Sequence, residues 1–209
     1  MFSTTEKLQE FLAQFKKAQV EAIQHKAEDG DAESQFHLGA LYANGRGVSF
    51  DLDEATQWLT KAADQNEFSA MTLLGWITLQ QEDGESGIKA MEWYQKAAEA
   101  GDVDAQCSIA DLHISGTAGI EPNAKAMLYW YEQAANHHHP KAQYQLGKIL
   151  AEGKFLTPND EAAFRWLSMA IMNGSEPAQK ELQLLTARIG DSLTQEFRER
   201  MTNDFQQPH

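Results

Sequence analysis

Apolar residues in this chain follow a helical spacing, and the whole pattern returns about every 36 residues. Leu38, Leu41 and Tyr42 fall at i, i+3 and i+4, and Ala55, Trp58, Leu59 and Ala62 continue the same rule. A stripe of this kind buries one side of a helix and leaves the other to water. The tryptophans Trp58, Trp93, Trp130 and Trp166 are separated by 35, 37 and 36 residues. Ala62-Ala63, Ala97-Ala98 and Ala134-Ala135 follow the first three at one offset, and Ala170-Ile171 follows the fourth. Gly39, Gly75, Ala110 and Gly147 form another column, each preceded by Leu38, Leu74, Ile109 or Leu146. Small residues at the stripe centre let two helix backbones approach, while Trp and Leu fill the wider gaps beside them. The pattern predicts a repeated unit of helix A, loop and helix B.

The punctuation between stripes agrees. Gly30, Asn66, Gly101, His138 and Gly174 make a further column, spaced 36, 35, 37 and 36, just after each predicted B helix. A helix C-terminus commonly requires a positive φ there, which Gly and Asn adopt most easily and His tolerates. Gly45 and Gly47, Gly84 and Gly87, Gly116 and Gly119, and Gly153 break the chain inside the repeats. Four repeats are predicted, 31–67, 68–102, 103–138 and 139–175, in one continuous domain. Residues 1–30 are expected to form an N-terminal capping helix, over about 4–28, with a Ser3–Glu6 capping box and buried Leu8, Leu12, Phe15 and Ala22. Residues 176–209 are expected to form C-terminal capping helices. Ala178 and Leu182 keep the helix A register, and Leu193, Phe197 and Met201 lie on a last helix from about Ser192. Caps are needed because an internal repeat has two adhesive faces.

Charge narrows the partners. The chain carries 17 basic and 31 acidic residues, net −14. Nucleic acid and anionic membrane are excluded, since both require a basic footprint. Residues 1–138 hold −13 of that excess, so the charge is a polarity along the repeats. With Cys107 as the one cysteine, an intrachain disulfide has no second partner. No run of residues approaches a membrane span, and Glu6, Lys7, Glu10, Lys16 and Lys17 interrupt any signal-peptide core. A cytoplasmic location is expected.

The first repeat carries Leu38-Gly39-x-x-Tyr42, Gly45-Arg46-Gly47-Val48, Ala55-x-x-Trp58 and Lys61-Ala62-Ala63. The second keeps Leu74-Gly75, Trp93 and Lys96-Ala97-Ala98. The third substitutes Ala110 and Gln133, and the fourth keeps Leu146-Gly147 and Trp166. In these motifs the chain, over about residues 31–182, resembles the SEL-1-like repeat family, a relative of the tetratricopeptide repeats. The resemblance implies an all-α fold: a right-handed α-solenoid, or superhelix, of antiparallel helix pairs. It implies a non-enzymatic scaffold or adaptor that binds a peptide or protein segment in a concave groove. A second reading within the family is an immunity or accessory protein that masks a bacterial toxin or effector. A β-lactamase-like hydrolase is the reading from another class, and the paired cysteines of those relatives are missing here.

In related repeats the A helices line the concave face. Counting each Leu-Gly pair as positions seven and eight, positions two, five, nine, twelve and thirteen are expected to face inward. Among them Phe36, Asn44, Trp76, Gln80, Asp111, Tyr144, Lys148 and Lys180 are the candidate partner-binding residues. Glu33, Ala43, Leu79, Asp104, Cys107, Lys141, Ala151, Glu152 and Arg188 share the stripe. Trp76 is the most informative, because the other repeats place Ala40, Asp111 and Lys148 there; a core tryptophan would recur. Its bland alternative is local packing against a helix edge. Lys141, Lys148, Lys180 and Arg188 would orient a segment with an acidic end. No catalytic, metal or cofactor residue is expected. His137-His138-His139 reads as a turn, because adjacent residues do not share a helix face. Gly45-x-Gly47 lacks the Gly-Lys-Ser/Thr ending of a phosphate loop. Cys107 has His113 as its nearest histidine in sequence, off-phase on one helix, and reads as a small buried apolar residue.

Overall fold

The computed structural model describes residues 17–81, 85–116, 119–155 and 157–206. Gly84 and the N-terminal readings on Ser3, Glu6, Leu8, Leu12 and Phe15 lie outside them; Ala22, expected to be buried, is exposed, and Ala27 is the buried residue among those described in that helix. Among the described residues the chain is helical and contains no strand. Helix α1 covers residues 17–28. It is followed by α2 (Ala32–Asn44), α3 (Leu52–Ala63), α4 (Phe68–Leu79), α5 (Ser86–Glu99), α6 (Val103–Ser115) and α7 (Ala124–Asn136). The remainder is α8 (Pro140–Glu152), α9 (Asp160–Met172), α10 (Glu176–Ile189) and α11 (Asp191–Gln206). The helices pair as hairpins α2/α3, α4/α5, α6/α7, α8/α9 and α10/α11. They form two compact units, residues 1–102 and 103–209.

Each hairpin of the four repeats closes on the same contact. The residue after each tryptophan, Leu59, Tyr94, Tyr131 or Leu167, is buried to within 2% of full enclosure. It meets the small residue at position eight of the A helix. A Cβ built on Gly39 would stand 2.6 Å from Leu59, on Gly75 2.6 Å from Tyr94, and on Gly147 2.6 Å from Leu167. Glycine is therefore the residue that permits this approach. The tryptophans themselves are half-buried, and Trp130 and Trp166 pack against the core cluster that holds Tyr131. Lys61 stands 3.8 Å over the Trp58 ring and Lys96 4.8 Å over that of Trp93, which accounts for the lysine of the Lys-Ala-Ala motif.

The predicted column of helix ends is present. Gly30, Asn66, Gly101, His138 and Gly174 all take positive φ, including 64° at Asn66 and 60° at His138. Three B helices, α3, α7 and α9, start on side-chain caps, while α5 begins at Glu85 without one. Asp51 accepts from the backbone N–H of Asp53 and Glu54, Asn123 from Lys125 and Ala126, and Asn159 from Ala162. The same cap residues tie the loop back to helix A: the N–H groups of Asp51, Asn123 and Asn159 donate to the carbonyls of Tyr42, His113 and Leu150. Asn159→Ala is expected to cost about 1 kcal/mol, the usual worth of such a cap, and to lower the melting temperature by about 2–4 °C. Asn159→Asp keeps the acceptor and is expected to melt like the parent.

Successive repeats are stitched by a buried glutamine. Gln35 and Gln143 are 5% and 0% exposed. Gln35 Nε2 donates to the Ala27 carbonyl at 3.0 Å, and its Oε1 accepts from Gln65 at 2.8 Å. Gln143 repeats this with the Ala135 carbonyl at 3.1 Å and Asn173 at 2.8 Å. In the second repeat the hydroxyl of Thr72 donates to Asp102 at 3.2 Å, an equivalent step of 30 residues. A buried amide satisfied at both ends fixes register, since any shift would leave polar groups unpaired.

Candidate protein-interaction faces

In the first unit the A helices are α2 and α4. Phe36 is half-buried, and its ring lies 5.4 Å from that of His37. Asn44 is exposed and turns its amide back onto the Ala40 carbonyl at 2.8 Å, closing its own helix end. Ala43, expected in the groove, is buried at 5% exposure. Trp76 is 46% exposed in the middle of α4, between the buried Leu74-Gly75 pair and buried Ile77. Gln80 is exposed at the end of that helix. Trp76 is the exposed aromatic ring of this face, and Phe36 a half-buried one.

In the second unit the A helices are α6, α8 and α10, and most of their charges are already answered. Asp111 accepts from the hydroxyl of Tyr131 on α7 and pairs with Lys141 at 2.6 Å. Burial first, and then the Asp111 carboxylate, holds the Tyr131 phenol protonated far above its ordinary range. Lys148 lies 3.9 Å from Glu152 and 6.0 Å from the centre of the Tyr144 ring. Arg188 donates to the Ala151 carbonyl at 2.8 Å and to Asp160 at 2.5 Å. Lys180 is exposed and carries no ion pair among the described residues. Of the four cations expected to orient an acidic segment, three are therefore engaged within the chain.

Two features of this unit escape a reading of single helices. Cys107 is 1% exposed, and its Sγ stands 3.2 Å from Nδ1 of His139, one repeat further on. Nε2 of the same imidazole is 3.0 Å from Asp104, and Nδ1 also receives the Ala142 N–H at 3.3 Å. A thiol, an imidazole and a carboxylate in line are the parts of a cysteine nucleophile. Here the sulfur is enclosed, which leaves no approach for a substrate, and His139 serves as the N-cap of α8. The set clasps α6 to α8. The other feature is Leu184, 58% exposed on α10. Leu182 keeps the register of Leu146, so Leu184 occupies position nine, the position of Trp76. The signal was present in the sequence as the continuation of the Leu column past the last tryptophan.

The comparisons with known proteins follow the same division into repeats. The Sel1 repeat model matches residues 32–67, 69–102, 103–139 and 140–175, more than half of the chain. The chain belongs to the Sel1 repeat family. A Sel1 repeat protein from Oxalobacter formigenes, solved by crystallography, superposes with a TM-score of 0.76 and 31% identity, covering 90% of this chain and 78% of that one. A protective antigen of uropathogenic Escherichia coli with an SLR fold gives 0.77 and 27%, over 89% of this chain and 40% of that one. An uncharacterized protein of Neisseria meningitidis serogroup B is 33% identical over 156 residues, 75% of this chain and 32% of that protein. The chain spans between 24% and 32% of the length of the first three curated relatives it matches. These neighbours establish an all-α solenoid of Sel1 helix pairs, and Sel1 repeats are protein-interaction repeats. No helix among the described residues is long and apolar enough to cross a membrane.

Proposed function

We propose that this Sel1 repeat protein is a non-enzymatic scaffold or adaptor that takes a protein segment on the A-helix faces of its units. The observation that carries this reading is Trp76. An indole at 46% exposure leaves a large apolar surface in water, and it has no counterpart in the other repeats. Tryptophan is the residue most enriched at binding hot spots, where a large apolar surface is released from water on contact. Phe36, Asn44 and Gln80 in the first unit, and Asp111, Tyr144, Lys148 and Lys180 in the second, would supply the surrounding contacts. The mechanism is preorganisation. Helix pairs stitched by buried amides are already ordered, so binding pays mainly for ordering the partner.

The test is affinity capture with the intact protein as bait, followed by a dissociation constant for the recovered partner. Trp76→Ala is expected to weaken that partner by about tenfold or more, with circular dichroism unchanged. Unchanged affinity, or no specific partner across growth states, overturns the reading.

A further inference from the structure

We infer that the far end of the A-helix face in the second unit is a pocket for one cationic side chain, a lysine or arginine of the bound segment. The inference rests on the reading that these faces bind protein, and adds the chemistry of the partner. A cavity of about 170 Å³ opens between the end of α8 and the middle of α10. Small-molecule sites run to about 300–1,000 Å³, so this one has the size of a single side chain. Ala151, the buried Leu185 and the exposed Leu184 make its apolar surface, and Glu152, Glu181 and Arg188 complete the lining.

The balance of charge decides the occupant. Arg188 faces the Ala151 carbonyl and Asp160, so its cation is consumed by groups other than the two glutamates. Glu152 has Lys148 at 3.9 Å, an i,i+4 contact at the outer limit of an ion pair and worth little on a solvated face. Glu181 has no ion pair among the described residues, and it is only partly exposed. The cavity therefore offers negative charge beside an apolar surface. A long cationic side chain satisfies both: its methylenes lie along Leu184 and Ala151 while its head reaches the carboxylates. An acidic side chain would meet repulsion, and an apolar one would cover the carboxylates without pairing them.

The full-length protein, immobilised, is panned against a library of random twelve-residue peptides. Parallel selections use Glu152→Gln with Glu181→Gln, and Glu181→Lys. The wild-type selection is expected to enrich Lys or Arg at one fixed position. Replacing that residue by Ala in a synthetic peptide is expected to weaken binding about tenfold on the wild type and about twofold or less on the double variant. Glu181→Lys is expected to move the preference to Asp or Glu. Enriched peptides without a cationic position overturn the inference while leaving segment binding intact. A cationic preference that survives both sets of substitutions does the same. If no peptide is enriched, the inference and the scaffold reading fall together.

Discussion

Tyr131→Ala is expected to be the most damaging single substitution in the second unit, at about 3–5 kcal/mol, the usual cost of removing a buried aromatic ring. Tyr131 is fully enclosed, in a cluster with Met127, Ala110, Ala142, Leu146 and Ile149. Its neighbours belong to three helices, so the vacated space closes only by moving α6, α7 and α8 together. Tyr131→Phe separates the ring from its hydroxyl. Asp111 would lose that donor but keep Lys141 at 2.6 Å and remain partly open to water, so the expected cost is only about 1 kcal/mol. Urea denaturation of both variants decides the matter. Equal losses would mean that the hydroxyl, and not the packing, matters. A pH dependence follows from the raised phenol pKa. The unfolded tyrosine ionises near its ordinary value of about 10, while the folded one stays neutral. The contribution is complete below that pH and declines as pH rises through it, because the unfolded state then gives up a proton that the folded state holds. Tyr131→Phe is expected to lose less stability above pH 10 than the wild type.

The fold was legible because each of its structural necessities recurs at one period. Gly39, Gly75 and Gly147 mark the close approach of helices, and Gly30, Asn66, Gly101, His138 and Gly174 mark helix ends. Four copies of one local requirement stand out against unconstrained positions. The candidate faces were legible only in part. Trp76 could be singled out because it breaks a column, and it is exposed. The bond of Cys107 to His139 was missed because the reading looked for partners on the same helix, at three or four residues. In a repeat protein the neighbour across an interface lies about one period away, and Cys107 to His139 spans 32 residues. Gln35 with Gln65 and Gln143 with Asn173 hid for the same reason. The charges of Lys141 and Arg188 read as free because their acids, Asp111 and Asp160, lie 30 and 28 residues away. Leu184 was overlooked although the register was carried to Leu182, Lys180 and Arg188, because past the last tryptophan only the charged positions of the stripe were read.

Gly147 and Leu167 allow the packing rule itself to be tested. A methyl group at Gly147 would stand 2.6 Å from Leu167 Cγ and 3.0 Å from the Leu167 backbone nitrogen. Leu167 is fully buried, so its side chain has nowhere to retreat, and the backbone contact requires the two helices to part. Overpacking of this kind costs about 1–3 kcal/mol. The higher helix propensity of alanine returns at most about 1 kcal/mol. Gly147→Ala is therefore expected to be destabilising by about 1–2 kcal/mol, against the usual gain from such a change in an exposed helix. Leu167→Ala alone leaves a cavity and is expected to cost about 2–5 kcal/mol. In the double variant the new methyl enters the space the leucine leaves. The combined loss is expected to fall short of the sum of the single losses by about 1 kcal/mol or more, a coupling of the size contacting residues show. The third repeat carries Ala110 where the others have glycine, in one cluster with Tyr131, so alanine at this position is compatible with a hairpin whose facing residue differs from Leu167. Strict additivity in the Gly147–Leu167 cycle would show that the glycine column serves something other than the approach of helix A to helix B.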